Sequence, residues 1–491
     1  MTGPQYDLLI RNVRVVRPHG NVVHASDIAV RDGKFARVAP GIDPLQAREV
    51  LDGRGLLAFP GVVDAHMHSG IYSPLAEDAV SESKAAAMGG VTSSLNYFRT
   101  GQYYLNKGGP YADFFPEVLA TSENRFHVDY GYHLAPMDST HIAEIPMLVE
   151  KFGVASFKIF MFYGSHGLHG ASDSQRQFLM IGEDQRYDYA HFEFIMRGVQ
   201  AARERFPARA HQISLSLHCE TAEIMTAYTR LVERDASLKG LAAYSAARPQ
   251  HSEGLAVFIA SYLAHETALP TVNLLHLSSR KAVQAALMMA EVFPHIDFRR
   301  EVTIGHLMLD IDSPAAELAK VNPPIRPRED VEFLWDALLA GELDWVVSDH
   351  ACCRHESKIP RHYFGNIWMA KSGFGGTEYL LPALVSEGTR RGMGYNHMAR
   401  VTSWAPAQRF GLNRKGDIAE GYDADLALVD PARTWTIHAA DSPSTQGYTP
   451  FEGLELSARV EATWLRGEQI YASERGVIGA PRGKYLFRPT D

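Results

Sequence analysis

The chain has 491 residues, 46% hydrophobic and 21% charged, a balance that carries a sizeable core and excludes a disordered protein. Its formal charge of −9 at pH 7 argues against the basic stripe of a nucleic-acid binder. Three cysteines exclude a disulfide scaffold and fit a reducing cytoplasm. Histidine is the odd count, at 22, and histidine is the commonest metal ligand. The stretch Met1–Asp7 lacks a basic segment followed by an apolar run, and no stretch reaches the roughly 18 apolar residues of a membrane span. Neither export nor membrane insertion is expected.

The first 60 residues read as short strands with tight turns: Leu8–Val16, Asp27–Val30 and, after an Asp-Gly turn, Gly33–Val38. Residues 420–475 read the same way, with Ala424–Val429, Val460–Leu465 and Gln469–Tyr471. Neither end holds enough strands to close a core alone. Residues 1–60 and 410–475 are therefore expected to pair into one small β-sandwich, leaving 476–491 as a C-terminal tail. Between them, over 61–409, short apolar runs alternate with helical or loop segments. Strands are expected at Val62–Ala65, Val91–Tyr97, His127–Tyr132, Ala155–Met161, Ile213–His218, Thr271–Leu275, Glu301–Ile304 and Trp345–Ser348. Helical patterns include Ala79–Met88, Ala190–Arg205, Glu253–His265 and Arg280–Phe293. Strands alternating with helices imply an α/β protein with a parallel sheet, and eight units imply a (β/α)8 TIM barrel. A doubly wound sheet is the alternative, because periodicity alone does not close a barrel.

Metal-capable residues fall on those strands or at their C-terminal ends, where barrel active sites form. His66 and His68 follow the first strand, and residues two apart on a strand point the same way. Lys158 lies inside the apolar run Ser156–Met161, where a bare ammonium is costly. His218 ends the fifth strand, His276 the sixth and Asp349 the eighth. One zinc ion needs about four ligands, and this set offers more. Two metals sharing a bridge would use them all. Lys158 becomes a natural bridge once carbon dioxide converts its amine to a carbamate, which is anionic and has one oxygen for each metal.

With these residues placed, the chain resembles the amidohydrolase superfamily, specifically its cyclic-amidase branch of dihydropyrimidinases and hydantoinases. The resemblance covers almost the whole chain. It rests on Asp52–Leu56 through Pro60–His68, Ser83–Thr92, Ser156-Phe157-Lys158 with Met161 and Tyr163, and, in the tail, Pro406-Ala407, Phe410–Leu412, Lys415-Gly416, Gly421–Leu426 and Pro450–Gly453. It also implies the composite β-sandwich. By the same resemblance, His66, His68 and Asp349 would bind the more buried of two divalent metals, zinc or manganese. His218 and His276 would bind the more exposed one, and carboxylated Lys158 would bridge them. A hydroxide held between the metals would attack the ring amide. Asp349 would move its proton to the leaving nitrogen, and Tyr163 would donate to the developing oxyanion. A core aromatic beside Phe160 and Phe162 is the other reading of Tyr163. The resemblance further implies a cytoplasmic homotetramer or homodimer acting on a small cyclic amide.

The substrate-contacting segments depart from the family. Val321–Arg326 resembles a substrate loop of this branch, with Asn322 where hydantoinases and dihydropyrimidinases usually carry Ser. Asparagine there is more like dihydroorotases, yet Ser69 and Gly70 follow His68 where a dihydroorotase has an arginine for the substrate carboxylate. Ser372, in Lys371-Ser372-Gly373, aligns with an Asn-Gly segment that binds the ring amide through its backbone. Gly164–Asp184 is a Gly-, His- and Ser-containing loop longer than the usual family connection. It reads either as a lid over the barrel mouth, with His166 and His169, or as a surface insertion. Cys352 and Cys353 are expected to be buried and inert, since no base or cation pattern marks a thiolate. Three other readings stay open: an allantoinase-like specificity, a dihydroorotase-like one, and a non-catalytic relative acting in assembly.

Overall fold

The structure, a computed structural model, describes residues 4–164 and 175–488. Eight parallel strands hydrogen-bond in chain order: Val62–His68, Val91–Phe98, Asp129–Leu134, Ser156–Phe160, Ser214–His218, Thr271–Leu274, Asp297–Thr303 and Trp345–Val347. The chain then passes Ser348 and Asp349, and the short piece His350–Ala351 pairs parallel with the first strand, opposite Met67 and His68. That pairing closes the ring into a (β/α)8 barrel. Asp64 locks the seam. Its carboxylate accepts from Ser348 N at 3.1 Å, Ser348 Oγ at 2.5 Å and Thr377 Oγ1 at 2.8 Å.

Strands covered by helices outside and filled by side chains inside are buried on both faces. Every residue of Val91–Phe98, Asp129–Leu134 and Ser214–His218 is buried accordingly. Several helices start on side-chain caps. Asp138 accepts from His141 N, Asp188 from His191 N and Ser279 from Ala282 N.

The first and seventh strands run furthest beyond their apolar patterns. The first continues to His68, because Met67 still pairs with Asn96 and His68 with Ala351. The seventh begins at Asp297, four residues early, because Arg299 and Arg300 project to Asp344 (3.1 Å each) and so look unlike strand residues.

Both chain ends join one nine-stranded sheet, the small β domain of the fold. Its order is Gly476–Val477, Glu468–Ala472, Arg459–Leu465, Leu426–Asp430, Leu57–Pro60, Tyr6–Val15, His24–Arg31 and Lys34–Ala39, with Ala47–Asp52 beside Tyr6–Val15. The ends meet where Leu426–Val429 lies antiparallel to Leu57–Pro60. Leu8, Ile10, Val13, Ile28, Phe35, Leu426 and Trp464 pack its core. The last described residues run beside the third barrel strand: Tyr130 N donates to Lys484 O, and Leu486 N to Tyr130 O. Arg488 is buried there, its guanidinium on the Tyr132 and Phe410 carbonyls and Ser156 Oγ. Among the described residues no helix is long and apolar enough to cross a membrane.

Sheet and barrel are tied by a buried cation. Lys415 donates to Asp129 of the third barrel strand at 2.8 Å and to Asp425 at 2.6 Å. Removing one partner from such a network strands buried charge, at about 3–5 kcal/mol. Lys415→Met is therefore expected to lower the unfolding free energy by about that amount, read from urea denaturation. A loss under about 1 kcal/mol would show that the two carboxylates find other partners.

Candidate metal centre and active-site pocket

The side chains expected from the strand ends converge at one mouth of the barrel. Asp349 Oδ1 lies 3.2 Å from His66 Nε2 and 3.3 Å from His68 Nε2. These three form one group with donor atoms spaced for a shared cation. The His66 and His276 rings stand 5.3 Å apart and the His218 and His276 rings 4.3 Å apart. Lys158 enters from the fourth strand and lies over the Tyr97 ring at 4.2 Å. His68, Lys158, His218, His276 and Asp349 line a common pocket with Tyr163, Asn322 and Ser372, while His66 lies beneath Asp349 with no exposed surface.

Backbone conformation aims two of these groups. His276 (φ 34°) and Asp349 (φ 53°) both occupy the left-handed region, which Asp and His enter more readily than most residues. The loop after the second strand is more strained. Four consecutive non-glycine residues, Tyr103 to Asn106, have φ between 44° and 65°, each costing about 1 kcal/mol or more. That loop brings the Tyr104 hydroxyl to 2.6 Å from His68 Nδ1.

A second layer of carboxylates orients the imidazoles. Glu301 Oε1 lies 2.7 Å from His66 Nδ1 and accepts from His276 N at 3.1 Å, while Oε2 accepts from Trp345 Nε1 at 2.9 Å. Glu220 Oε2 lies 2.6 Å from His218 Nε2, and Arg248 grips the same carboxylate at 2.5 and 2.8 Å. A histidine held through one ring nitrogen presents the other to a metal in a fixed direction.

The electrostatics suit cations. Burial drives all four imidazoles down, His218 to about 4 and His66, His68 and His276 also below the usual value. They are neutral, as ligation requires. Burial also pulls Lys158 down to about 7, against the opposing pull of Asp349 and Glu301. A neutral amine is the form that captures carbon dioxide. Burial works to raise the Asp349 carboxyl, but His66, His68 and Lys158 hold it well below the ordinary carboxylate range. Burial pushes Glu301 up to about 8. Three buried polar atoms here, His66 Nε2, His276 Nδ1 and Lys158 Nζ, make no hydrogen bond. Unsatisfied buried donors and acceptors need an explanation, and nitrogen and oxygen ligands converging on divalent cations supply one.

Tyr163 is fully buried, stacked on Phe160 at 4.7 Å, with Arg99 Nε donating to its hydroxyl at 3.3 Å. Asn322 Oδ1 accepts from Tyr244 OH at 2.5 Å and Ser372 Oγ at 3.3 Å, and the Ser372 carbonyl accepts from Tyr72 OH at 2.5 Å. His350 points away from the pocket, to Glu82 at 2.8 Å and the amides of Gly376 and Thr377. Cys352 and Cys353 are buried, and burial raises both thiols. His166 and His169 lie outside the described residues, as does part of the 164–184 loop. From its far end, Phe178 O accepts from Gln102 N at 2.9 Å.

Glu301, Glu220, Tyr104, Arg99 and Arg248 were not singled out from the sequence. Glu220 was within reach of the two-residue rule that found His66 and His68, since it follows His218 at that spacing. Glu301 gives a fainter signal, as an acid inside a strand pattern. Tyr104 gives none, because its place depends on a left-handed loop, and Arg99 gives none, because its contact with Tyr163 arises only in the folded chain.

A family model described as the amidohydrolase family matches residues 208–470. An allantoinase from Rubrobacter xylanophilus is 32% identical over 489 residues, covering 98% of this chain and 97% of that protein. An allantoinase from Escherichia coli is 30% identical, covering 98% and 99%. Among solved structures, a dihydropyrimidinase from Brevibacillus agri superposes with a TM-score of 0.83 at 24% identity, covering 98% of each chain. A D-hydantoinase from Bacillus sp. AR9 does so with 0.84 at 24%, covering 99% and 100%. These two similarities establish the fold.

Replacing the Glu301 carboxylate by an apolar side chain of similar size, Glu301→Leu, removes the acceptor that orients His66. Divalent-metal affinity is expected to fall by about 10- to 100-fold, measured by competition with a chelator of known affinity. Unchanged affinity would deny Glu301 that role.

Proposed function

The chain belongs to the amidohydrolase family, in its cyclic amidohydrolase branch, and we propose that it opens a cyclic amide or ureide of the hydantoin, dihydropyrimidine or related cyclic imide class. The observation that carries this reading is the convergence of His66, His68, Lys158, His218, His276 and Asp349 beside a pocket that Tyr163, Asn322 and Ser372 also line. His66, His68 and Asp349 suit one divalent cation, and His218 with His276 a second. Lys158, if carboxylated on Nζ, would supply an anionic ligand to both. Zinc fits a nitrogen- and oxygen-rich set, with manganese the alternative. When bound, such cations polarise a carbonyl and bring the pKa of a water to about 7.

The chain's own groups complete the reaction. Asp349 is ionised at neutral pH, so it accepts the proton of the attacking water and returns it to the ring nitrogen as the amide bond breaks. Tyr163 donates its hydroxyl proton to the oxygen on which charge develops. Asn322 and the Ser372 backbone hold the remaining amide edge of the ring. The pocket's apolar walls, among them Ile71, Phe160, Phe162 and Val321, exclude water and strengthen these interactions. A second reading, allantoin as the ring, is favoured by allantoinases at 30–32% identity over nearly the whole chain. A non-catalytic role conflicts with a complete ligand set. A homotetramer or homodimer is the proposed assembly, measurable by sedimentation.

Ring opening assayed over dihydrouracil, small- and aryl-substituted hydantoins, allantoin, dihydroorotate and cyclic imides separates the readings. Turnover of hydantoins or dihydrouracil over allantoin supports the first, and the reverse order the second. Turnover of none by metal-loaded protein would refute both. Lys158→Ala is expected to lose most activity and part of its bound metal, with partial recovery in a short carboxylic acid. Full activity in this variant would contradict the bridge. Asp349→Asn is expected to retain some metal while kcat falls by about 100-fold or more, and an unchanged kcat would remove Asp349 from proton transfer.

A further inference from the structure

Arg99 lies just past the second barrel strand and has no exposed surface. Its guanidinium donates to the Tyr163 hydroxyl at 3.3 Å and to the carbonyls of Thr100 and Gln102 at 2.9 and 3.1 Å. None of these acceptors is a carboxylate, and Nη2 has no partner among the described residues. Three aromatic faces surround the cation instead: Phe178 at 4.7 Å, Tyr163 at 5.2 Å and Tyr104 at 5.3 Å. A buried cation with no carboxylate partner among the described residues is costly, and cation–π contacts offset only part of that cost. The backbone is shaped around it as well. Gly101 has φ +108°, and a Cβ there would stand 2.8 Å from Arg99 Nη1. Anchoring two loop carbonyls needs only Nη1. The remaining directed bond, from Nε, goes to the one tyrosine placed in the chemistry.

We propose that Arg99 is a positioning residue for Tyr163, holding the phenol oxygen from behind and strengthening its O–H as a donor to the developing oxyanion. The inference rests on the role of Tyr163 under Proposed function. A donor that already accepts a hydrogen bond from a cation gives a stronger bond to the next acceptor. The charge also opposes the penalty of burial: burial pushes the Tyr163 phenol up, and Arg99 works against that rise. The direction matters because an oxyanion is stabilised most by donors already fixed before charge develops. No proton leaves Arg99, and no covalent step passes through it.

The test is a double-mutant cycle on the full, metal-loaded chain, using the ring substrate it turns over best: parent, Arg99→Met, Tyr163→Phe and the double variant. kcat, KM and bound metal per chain are measured for each. Tyr163→Phe is expected to lower kcat by about 100-fold, the loss of one oxyanion donor. Arg99→Met is expected to lower kcat by about tenfold, with KM and bound metal unchanged. The double variant is expected to match Tyr163→Phe alone, since Arg99 then has no hydroxyl to act on. Losses that multiply in full, an unchanged kcat in Arg99→Met, or a loss of bound metal traced through Tyr104 and His68 would each overturn the proposal. An unchanged kcat in Tyr163→Phe would instead refute the role of Tyr163 itself, which keeps the two failures distinct. Should Arg99→Met not fold, Arg99→Lys replaces it, because it retains the charge and loses the directed Nε–H. The chemical control is 3-fluorotyrosine at position 163, a more acidic phenol. It is expected to restore kcat in the Arg99 variant, and no restoration would mean that Arg99 only fills space.

Discussion

Lys158 lies within a fully buried strand, and its amine makes no hydrogen bond. A bare ammonium in such a place costs several kcal/mol, and much of the surrounding architecture answers that cost. Burial shifts the lysine toward its neutral form. Asp349 supplies negative charge nearby, and four neutral imidazoles share the same mouth. Buried nitrogens without hydrogen-bond partners, gathered at one mouth of the barrel, fit a candidate metal centre better than a plain core.

The barrel supplies the rigidity this centre needs. Asp64 pins the eighth strand to the first through Ser348, and the next residue is Asp349. The hydrogen bonds that close the fold thereby fix the carboxylate that His66 and His68 face. Glu301 works in the same double sense. It holds His66 from the seventh strand and the His276 backbone from the turn after the sixth, so one buried acid sets the geometry of two ligands. Around the pocket, Glu220, Arg248, Tyr244, Asn322 and Ser372 form one hydrogen-bonded chain from His218 to the Val321–Arg326 segment. Buried polar networks of this kind, once fully satisfied, hold a single arrangement.

Much of the frame was legible from residue order. Apolar runs in Val91–Tyr97, Ile213–His218 and Trp345–Ser348 located barrel strands because strands buried on both faces are apolar throughout. The seventh strand was read late at its start, since Arg299 and Arg300 carry charges that Asp344 neutralises only in the folded chain. His66, His68, Lys158, His218, His276 and Asp349 were legible because strand-end placement in a barrel converges by construction. Tyr104 was not, because it sits in a run of left-handed residues after the second strand, and nothing in Gln102-Tyr103-Tyr104-Leu105-Asn106 announces that turn; Arg99 was not, because its contact with Tyr163 joins residues of separate strand ends.

Sequence alone determined the alternation of apolar strands with helices, the strand-rich character of both chain ends, and which residues fall at strand ends as candidate ligands. These follow from local periodicity and from the rule that strand termini share a face, while closure of the barrel came from the pairing of His350–Ala351 with the first strand. Tertiary structure decided that His66 Nε2 and His276 Nδ1 make no hydrogen bond, that Glu301 and Glu220 hold His66 and His218, that His350 turns to Glu82, and that Arg99, without a carboxylate partner among the described residues, stands behind Tyr163. Those outcomes depend on strand stagger and loop handedness, which bring together residues hundreds of positions apart, such as His66 and Glu301. Periodicity records which face a side chain takes, and only packing records what it meets there.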